Sequence, residues 1–455
     1  MSTSILSRLL APGLSLLACA VVYTIGPDEP KLRIGLALFT LIGSLWMTQA
    51  FALTITALLV PLLAVLAGVL TVRDSLAAFA NPVIFLFLGG FALAAALSKH
   101  GLDRALATAM LRLAKGHALG AAMLMFLLTA VLSMWLSNTA TTAMMLPLAL
   151  GLLRDGTSSD DPQAERTQAF VLLGLAYSAS IGGIATLVGS PPNAIAAAQA
   201  NISFAQWMQI GLPMAAIMLP LMLLLLYALL RPRLHLTPAT AQPTAEQAFT
   251  WTTPRVLTTA IFALTVIGWV FGAPLGAALG VTQDFDTVVA LTAIALLGIT
   301  GVLHWKDIEQ QTQWGVLLLF GGGLALSQIM AATGASLFLA EGLIHSLGAA
   351  PPWLLLLALV AFVVLLTELV SNTASAALLI PIVLGLAPAL GYSGASLATA
   401  VALSASCAFM LPVATPPNAI VFGSGWVSQR TMMRNGVAIN IMAIGLITLA
   451  VLTWA

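Results

Sequence analysis

The stretch Ser137-Asn138-Thr139 lies in the middle of an apolar run, and the same three residues return at Ser371-Asn372-Thr373 in a second apolar run. Each triplet is followed by a second polar interruption. The first reads Gly189-Ser190-Pro191-Pro192-Asn193, and the second reads Ala414-Thr415-Pro416-Pro417-Asn418. Hydroxyls, amides and double prolines therefore interrupt apolar sequence four times, in the same order in each half of the chain.

The composition indicates a polytopic membrane protein. Hydrophobic residues make up 60% of the 455 residues and charged residues only 7%, whereas about a quarter of a soluble domain is charged. A formal net charge of +1 leaves no basic surface for nucleic acid. Cys19 and Cys407 both lie in apolar runs, so we expect no disulfide framework.

The polar triplets predict two re-entrant hairpins, at 123–150 and 353–390. In the first run the triplet leaves two arms that are each too short to cross about 30 Å of hydrocarbon. A polar tip at membrane depth is tolerated only where protein or a water-filled cavity satisfies its backbone groups. Lys115 and Arg154 flank the first run, which favours a chain that returns to the side it left. A single tilted span is the alternative.

The proline pairs predict a broken helix after each hairpin, at 169–202 and 397–427, because proline cannot continue a helix without losing backbone hydrogen bonds. The fold is expected to be all-α, with about 11 transmembrane helices. Unbroken spans are placed near 9–25, 32–48, 51–70, 82–98, 212–230, 257–278, 287–302, 314–332 and 437–452. The predicted domains are N-terminal scaffold helices at 1–80, a first repeat at 81–234, a cytoplasmic linker at 235–256 and a second half with the other repeat at 257–455.

The two repeats are predicted to be inverted. Gly89-Gly90 returns as Gly322-Gly323, and four Lys or Arg precede the first hairpin whereas none lies in 331–352 before the second. Basic residues favour the cytoplasmic side, so the hairpins should enter from opposite faces. We expect a multi-pass protein of the bacterial inner membrane, with a cytoplasmic N-terminus and a periplasmic C-terminus.

The four polar interruptions offer groups that suit an anion together with a cation. Hydroxyl and amide groups can donate to an anion or accept a cation, helix N-termini favour anions, and unwound carbonyls coordinate sodium. No Lys, Arg or His lies in or beside the interruptions, so co-bound cations would have to offset an anion's charge. The two triplets suggest a ligand with two anionic ends. These features predict a secondary carrier.

The paired Ser-Asn-Thr tips and Pro-Pro-Asn loops resemble those of the divalent anion:sodium symporter family (DASS), whose members carry succinate, malate, fumarate, citrate or sulfate. The resemblance covers about 80–455. It implies sodium-coupled symport of C4-dicarboxylates by an elevator-type alternating-access mechanism, in a homodimer.

The resemblance also implies the site residues. One sodium ion is expected against Ser133, Ser137, Asn138 and the carbonyl of Gly189. A second is expected against Thr367, Asn372 and the carbonyls of Val370 and Ala414. The substrate carboxylates are expected to meet Asn138, Thr139, Ser190, Asn372, Thr373 and Thr415. Ser190 stands where the family commonly has threonine, so it keeps the hydroxyl and lacks a methyl group.

Several alternatives stay open. An ion channel would need a continuous lined pore, and an enzyme would need a nucleophile with a base, whereas no histidine lies near a polar interruption. Within the carrier class, the alternatives are an anion exchanger, or a carrier of citrate, sulfate or another oxyanion. Glu368 is interpreted either as a proton or cation site or as a buried acid that is hydrogen-bonded to the neighbouring hairpin.

Overall fold

A computed structural model describes residues 5–113, 118–153, 162–233, 249–347 and 350–454, and all regular elements within these ranges are helices. Most of the predicted linker 235–256 lies outside the described residues, as do Lys115 and Arg154. The chain begins with α1 (Ile5–Ile25), α2 (Pro30–Thr48), α3 (Leu53–Leu66), α4 (Val72–Ala77), α5 (Pro82–Lys99) and α6 (Leu102–Leu113). A 3-10 turn, Ala78–Ala80, connects α4 to α5.

The first half continues as a hairpin and a broken helix, as predicted. The hairpin arms are α7 (Ala118–Ser133) and α8 (Asn138–Leu153). Each arm has 16 residues, so it is about 24 Å long and shorter than the hydrocarbon core. The broken helix consists of α9 (Pro162–Ile184) and α10 (Pro191–Ala200), and α11 (Phe204–Leu230) follows it.

Three helices connect the halves, and they correct one predicted span. They are α12 (Thr253–Val270), α13 (Gly272–Leu279) and α14 (Phe285–Ile299). The run 257–278 is not one helix, because α12 ends before Phe271 and the short α13 begins at Gly272.

The predicted span 51–70 is also too long, because α3 has only 14 residues and a length of about 21 Å.

The second half repeats the order of the first. Its helices are α15 (Trp305–Gln311), α16 (Trp314–Ala332), α17 (Ala335–Leu347), α18 (Pro352–Thr367), α19 (Asn372–Leu390), α20 (Gly394–Ala405), α21 (Pro416–Gly423) and α22 (Gln429–Trp454). The arms α18 and α19 form the second hairpin, and α20 and α21 form the second broken helix. Prolines begin both α10 and α21. Proline is tolerated there because the N–H group of a first helical residue makes no hydrogen bond within the helix.

Seven helical stretches among the described residues are long and apolar enough to cross a membrane, and eight apolar helices are shorter. Four of the shorter ones are the arms of the two hairpins. Without these arms eleven apolar helices remain, which agrees with the predicted number of about 11.

Close glycine contacts pack α14 against α5 of the first half and α3 against α16 of the second half. A Cβ on Gly89 of α5 would lie 2.6 Å from the Cβ of Ala290 in α14, and a Cβ on Gly322 of α16 would lie 2.6 Å from that of Ala57 in α3. Only glycine permits these approaches. Ala57 and Ala290 are separated by the same interval as the two glycines, so α3 and α14 occupy equivalent places in the two halves.

The short helix of each broken helix packs against the hairpin and the broken helix of the other half. The short helix α10 packs against α19 and α20 of the second half, and α21 packs against α8 and α9 of the first half. The Tyr177 hydroxyl of α9 donates to the carbonyl oxygen of Phe409 at 2.6 Å. These contacts bring the hairpin tips and the breaks of both halves together.

Candidate functional site

A cavity of about 700 Å³ lies between the two hairpin tips and the two broken-helix loops. Ten of the twelve predicted site residues line it, namely Ser137, Asn138, Thr139, Gly189, Ser190, Val370, Asn372, Thr373, Ala414 and Thr415. The other two, Ser133 and Thr367, are the last residues of α7 and α18 and are fully buried behind the tips. A larger cavity of about 1080 Å³ between α6, α7 and α12 is lined by none of these twelve residues.

Equivalent pairs of oxygen atoms lie behind the two tips. Ser133 Oγ donates to Asn138 Oδ1 at 2.5 Å, and Thr367 Oγ1 lies 2.7 Å from Asn372 Oδ1. Thr367 Oγ1 also lies 2.8 Å from the carbonyl oxygen of Ala405. Neutral hydroxyl, amide and carbonyl oxygens can accept a hard cation once the hydroxyl proton turns away.

The first oxygen pair lies against unwound backbone. A Cβ on Gly183 would come within 2.5 Å of Asn138 Oδ1 and 3.0 Å of the Gly189 carbonyl oxygen. Glycine at 183 therefore lets the side chain of Asn138 and the carbonyl of Gly189 approach each other. Three of the four groups that the resemblance implies for the first cation, namely Ser133, Asn138 and the Gly189 carbonyl, therefore lie close together at this tip.

Four helices begin at the wall of the cavity. They are α8, α10, α19 and α21, whose first residues are Asn138, Pro191, Asn372 and Pro416. A helix N-terminus carries a partial positive charge that favours anions. Of the described residues that line the cavity, none carries a formal charge. Helix termini and polar side chains are therefore the groups that an anion would meet here.

Comparison with known proteins identifies the family. A family model described as citrate transporter (CitMHS) matches residues 44–404. The chain belongs to this family. An uncharacterized transporter of Haemophilus influenzae is 46% identical over 445 residues, which cover 95% of this chain and 94% of the relative. The sodium-dependent dicarboxylate transporter SdcS of Staphylococcus aureus is 34% identical over 443 residues, which cover 91% of this chain and 84% of the relative.

A solved structure shows the same fold. The YdaH transporter of Alcanivorax borkumensis is 17% identical and aligns with a TM-score of 0.59, covering 84% of this chain and 86% of that chain. The family match and the relatives confirm the family resemblance seen in the motifs, and the solved structure agrees in fold. The protein is therefore a membrane transporter and not an enzyme.

Asn193 and Asn418 of the transporter hold the two breaks in shape, a role that the sequence analysis did not assign. Asn193 Nδ2 donates to the carbonyl oxygens of Gly183 at 2.9 Å and Thr186 at 2.8 Å. Asn418 Nδ2 makes the same contacts at 3.0 Å each, again with the carbonyls ten and seven residues before it. These bonds satisfy carbonyls that the unwound segments leave without helical partners. The repeated asparagine after each proline pair was the available signal.

Glu368 is buried, and its carboxylate accepts four hydrogen bonds. The backbone N–H groups of Phe409 and Met410 donate to Oε1 at 2.7 and 2.8 Å, and that of Leu411 donates to Oε2 at 3.0 Å. Asn440 Nδ2 of α22 donates to Oε1 at 2.7 Å. The prediction of a buried acid is confirmed, but its predicted partner is wrong. The partners belong to the break between α20 and α21 and to α22, not to the hairpin beside it.

The first half uses a hydroxyl where the second uses this carboxylate. Met134 occupies the position equivalent to Glu368, and its carbonyl oxygen accepts from Thr186 Oγ1 at 2.5 Å. The same hydroxyl accepts from the backbone N–H of Gly189 at 3.1 Å. Thr186 therefore links the first tip to the first break without any charge.

Ser190 and Thr415 also differ, although they are equivalent in sequence. Thr415 Oγ1 accepts from the backbone N–H of Asn418 at 3.3 Å and caps α21. Ser190 makes no cap hydrogen bond, and its Oγ lies 3.3 Å from Ser406 Oγ of the other half. Ser190, which lacks the methyl group of Thr415, thus also has a different hydrogen-bond partner.

Proposed function

We propose that this protein is a secondary active transporter that carries C4-dicarboxylates, such as succinate, malate and fumarate, together with sodium ions. The observation that carries the proposal is the repeated oxygen pair, Ser133 with Asn138 and Thr367 with Asn372, behind two tips that line one uncharged cavity. The description of SdcS as a sodium-dependent dicarboxylate transporter supports this choice of ion and substrate.

Sodium would be a co-transported ion. The first ion would be held by Ser133, Ser137, Asn138 and the Gly189 carbonyl, and the second by Thr367, Asn372 and the carbonyls of Val370 and Ala414. A dianion in a cavity without cationic side chains would be strongly disfavoured alone. Two bound sodium ions offset its charge, which couples the binding of the anion to that of sodium.

The two carboxylates would lie against the helix N-termini that begin at the cavity. One would meet Asn138, Thr139 and Ser190, and the other would meet Asn372, Thr373 and Thr415. The cavity of about 700 Å³ is in the range of ordinary small-molecule sites.

Transport would follow an elevator-type movement of the hairpins and broken helices as one body, in a homodimer. The packing of α10 on α19 and of α21 on α8 supports a common body. The repeats would be inverted, with the N-terminus in the cytoplasm and the C-terminus in the periplasm. We propose that each repeat also includes α3 or α14, so the first begins before residue 81.

Citrate is the second candidate substrate, because the matching family model is described as a citrate transporter. An anion exchanger and a carrier of sulfate or another oxyanion are further alternatives. The test is uptake of labelled succinate into proteoliposomes with an inward sodium gradient, with potassium instead, and with unlabelled succinate inside. Sodium-driven uptake supports symport, and citrate and sulfate as competitors then rank the substrates. Uptake only into preloaded vesicles would replace symport by exchange, and no uptake in any arm would refute the dicarboxylate assignment.

A further inference from the structure

The cavity is also lined by two glutamines that the proposed site does not use. Gln49 lies in the loop between α2 and α3, and Gln313 lies in the loop between α15 and α16. Both residues are exposed, and both line the cavity. Neither loop belongs to a hairpin or a broken helix, so these amides approach the site from the helices that surround it.

Both amides have unused hydrogen-bonding capacity. Among the described residues, neither the Gln49 nor the Gln313 side chain has a hydrogen-bond partner. The neighbouring Thr48 hydroxyl, by contrast, donates to the carbonyl oxygen of Ser44 at 2.7 Å. A glutamine amide offers two N–H donors, and a carboxylate is a stronger acceptor for them than a neutral group. The wall therefore presents anion-binding donors that no part of the described chain satisfies.

The backbone of Gln49 is a second, independent observation. Gln49 follows the last residue of α2 with φ 49° and ψ 35°, the left-handed conformation that favours glycine at helix C-termini. Four described residues other than glycine have positive φ, namely Gln49, Asn201, Arg231 and Asp284. Only Gln49 of these four lines the cavity. The chain thus keeps a long amide at a strained position beside the site.

We propose that Gln49 and Gln313 are specificity-determining residues that donate hydrogen bonds to a carboxylate of the transported anion from the part of the cavity wall that the α2–α3 and α15–α16 loops form. This inference rests on the proposed function. If the hairpin tips move past this wall during transport, the two amides contact the anion in the conformation described here and no longer contact it after the movement. They would then set the length and charge of the anion that the transporter accepts or releases here.

The test combines two variants that lack the amide with a control of the same backbone type. Gln49→Gly removes the amide and relaxes the left-handed backbone, whereas Gln313→Ala removes an amide with no change of that kind. The control is Arg231→Gly, since Arg231 ends α11 in the same conformation, with φ 45°, away from the cavity. Each variant is measured for melting temperature, for the KM of succinate and citrate uptake, and for the sodium concentration at half-maximal uptake.

The expected result separates specificity from stability. Gln49→Gly should raise the melting temperature and also raise the KM for the preferred anion about tenfold, the effect of losing one hydrogen bond to a carboxylate. Gln313→Ala should raise that KM without raising the melting temperature, and Gln49→Asn should lie closer to the unmodified protein. The sodium concentration at half-maximal uptake, measured at a saturating anion concentration, should stay unchanged. Arg231→Gly should be more stable with an unaltered KM.

Two outcomes would overturn the inference. One is an unchanged KM for both anions in Gln49→Gly and Gln313→Ala, and the other is an equal rise in KM for Arg231→Gly, which would assign the effect to backbone relaxation. Failure of the proposed function is distinguishable, because it would show as absence of uptake by the unmodified protein. In that case the melting-temperature shift that succinate, citrate and sulfate produce in the same variants tests the anion contact directly, and equal shifts in all of them would refute it.

Discussion

The first hairpin tip is linked to its broken helix by the hydroxyl of Thr186, whereas the second is linked by the carboxylate of Glu368. Both residues are buried, but Thr186 joins one carbonyl and one N–H group, whereas Glu368 accepts from four donors. Each buried donor that loses its partner raises the free energy of the folded state by about 1–3 kcal/mol. Two half-sites with equivalent oxygen pairs therefore differ in the number of hydrogen bonds that this linking residue makes, and the second should tolerate loss of its linking residue less than the first.

The largest effect is expected for Glu368→Leu. The substitution leaves three backbone N–H groups and the Asn440 amide without an acceptor, so it should destabilise the fold by at least about 3 kcal/mol. We expect little monodisperse protein in size-exclusion chromatography and a strongly lowered melting temperature. Glu368→Gln is the matched control, because it keeps one oxygen acceptor and should be intermediate. A native melting temperature for Glu368→Leu would contradict the structural role.

The next effect is the loss of uptake without loss of the fold. Asn138→Ala and Asn372→Ala each remove an oxygen of a predicted cation site and cost only about 1 kcal/mol of stability. Both should abolish sodium-driven uptake while the protein stays folded and monodisperse in size-exclusion chromatography. Asn435→Ala is a matched control, since Asn435 donates to the Thr431 carbonyl within α22 and does not line the cavity. If either tip variant retains sodium-driven uptake, the site assignment is wrong.

A moderate effect is expected for Thr186→Val, the counterpart of the Glu368 variants. It removes two hydrogen bonds, with a cost of about 1–3 kcal/mol. Because the N–H of Gly189 loses its acceptor, the predicted carbonyl ligand of the first cation should become less ordered. Uptake assays should then show a higher sodium concentration at half-maximal rate, with transport retained. A thermal and kinetic penalty as large as that of Glu368→Leu would remove the proposed difference between the halves.

The smallest effect concerns an ion pair between the halves, Lys99 at the end of α5 with Asp307 of α15, at 2.6 Å. The hydrogen bond from Lys99 holds the pKa of the Asp307 carboxyl below its ordinary value of 3.8. A lowered folded-state pKa gives stability that is present above the ordinary value and is lost as the pH falls through the lowered one. Asp307→Asn should therefore lower the free energy of unfolding at pH 5 to 8 by less than about 1 kcal/mol. The melting temperature should fall slightly, and uptake should stay normal. A difference that does not shrink as the pH falls below 3.8 would contradict this assignment.

Local chemistry explains what the sequence could predict. A polar triplet in an apolar run and a pair of prolines each force a break, so both hairpins and both broken helices lie where the sequence places them. Because the breaks are duplicated, ten of the predicted site residues line one cavity. Predictions were less accurate for spans without polar triplets or proline pairs. In the predicted span 257–278, the helix ends before Phe271 although the sequence stays apolar.

Contacts over long distances in sequence could not be predicted. The partners of Glu368 lie 41 to 72 residues away, and no pattern near Glu368 indicates which unwound backbone it meets. The packing of α3 on α16 and of α14 on α5 depends on where Ala57 and Ala290 meet the glycines of those helices. The strained backbone of Gln49 is also invisible in the sequence, because glutamine is not a residue that marks left-handed turns.

The most direct test of the account is the affinity of the purified transporter for succinate, and for citrate in parallel, in sodium and in potassium salts of equal ionic strength. Isothermal titration calorimetry measures it without any vesicle. Because the cations offset the charge of the anion in a cavity lined without charge, the account predicts affinity at least about tenfold higher in sodium. It also predicts that Asn138→Ala and Asn372→Ala each remove this difference. Equal affinity in the two salts would contradict the central claim that the two tips bind sodium together with the anion.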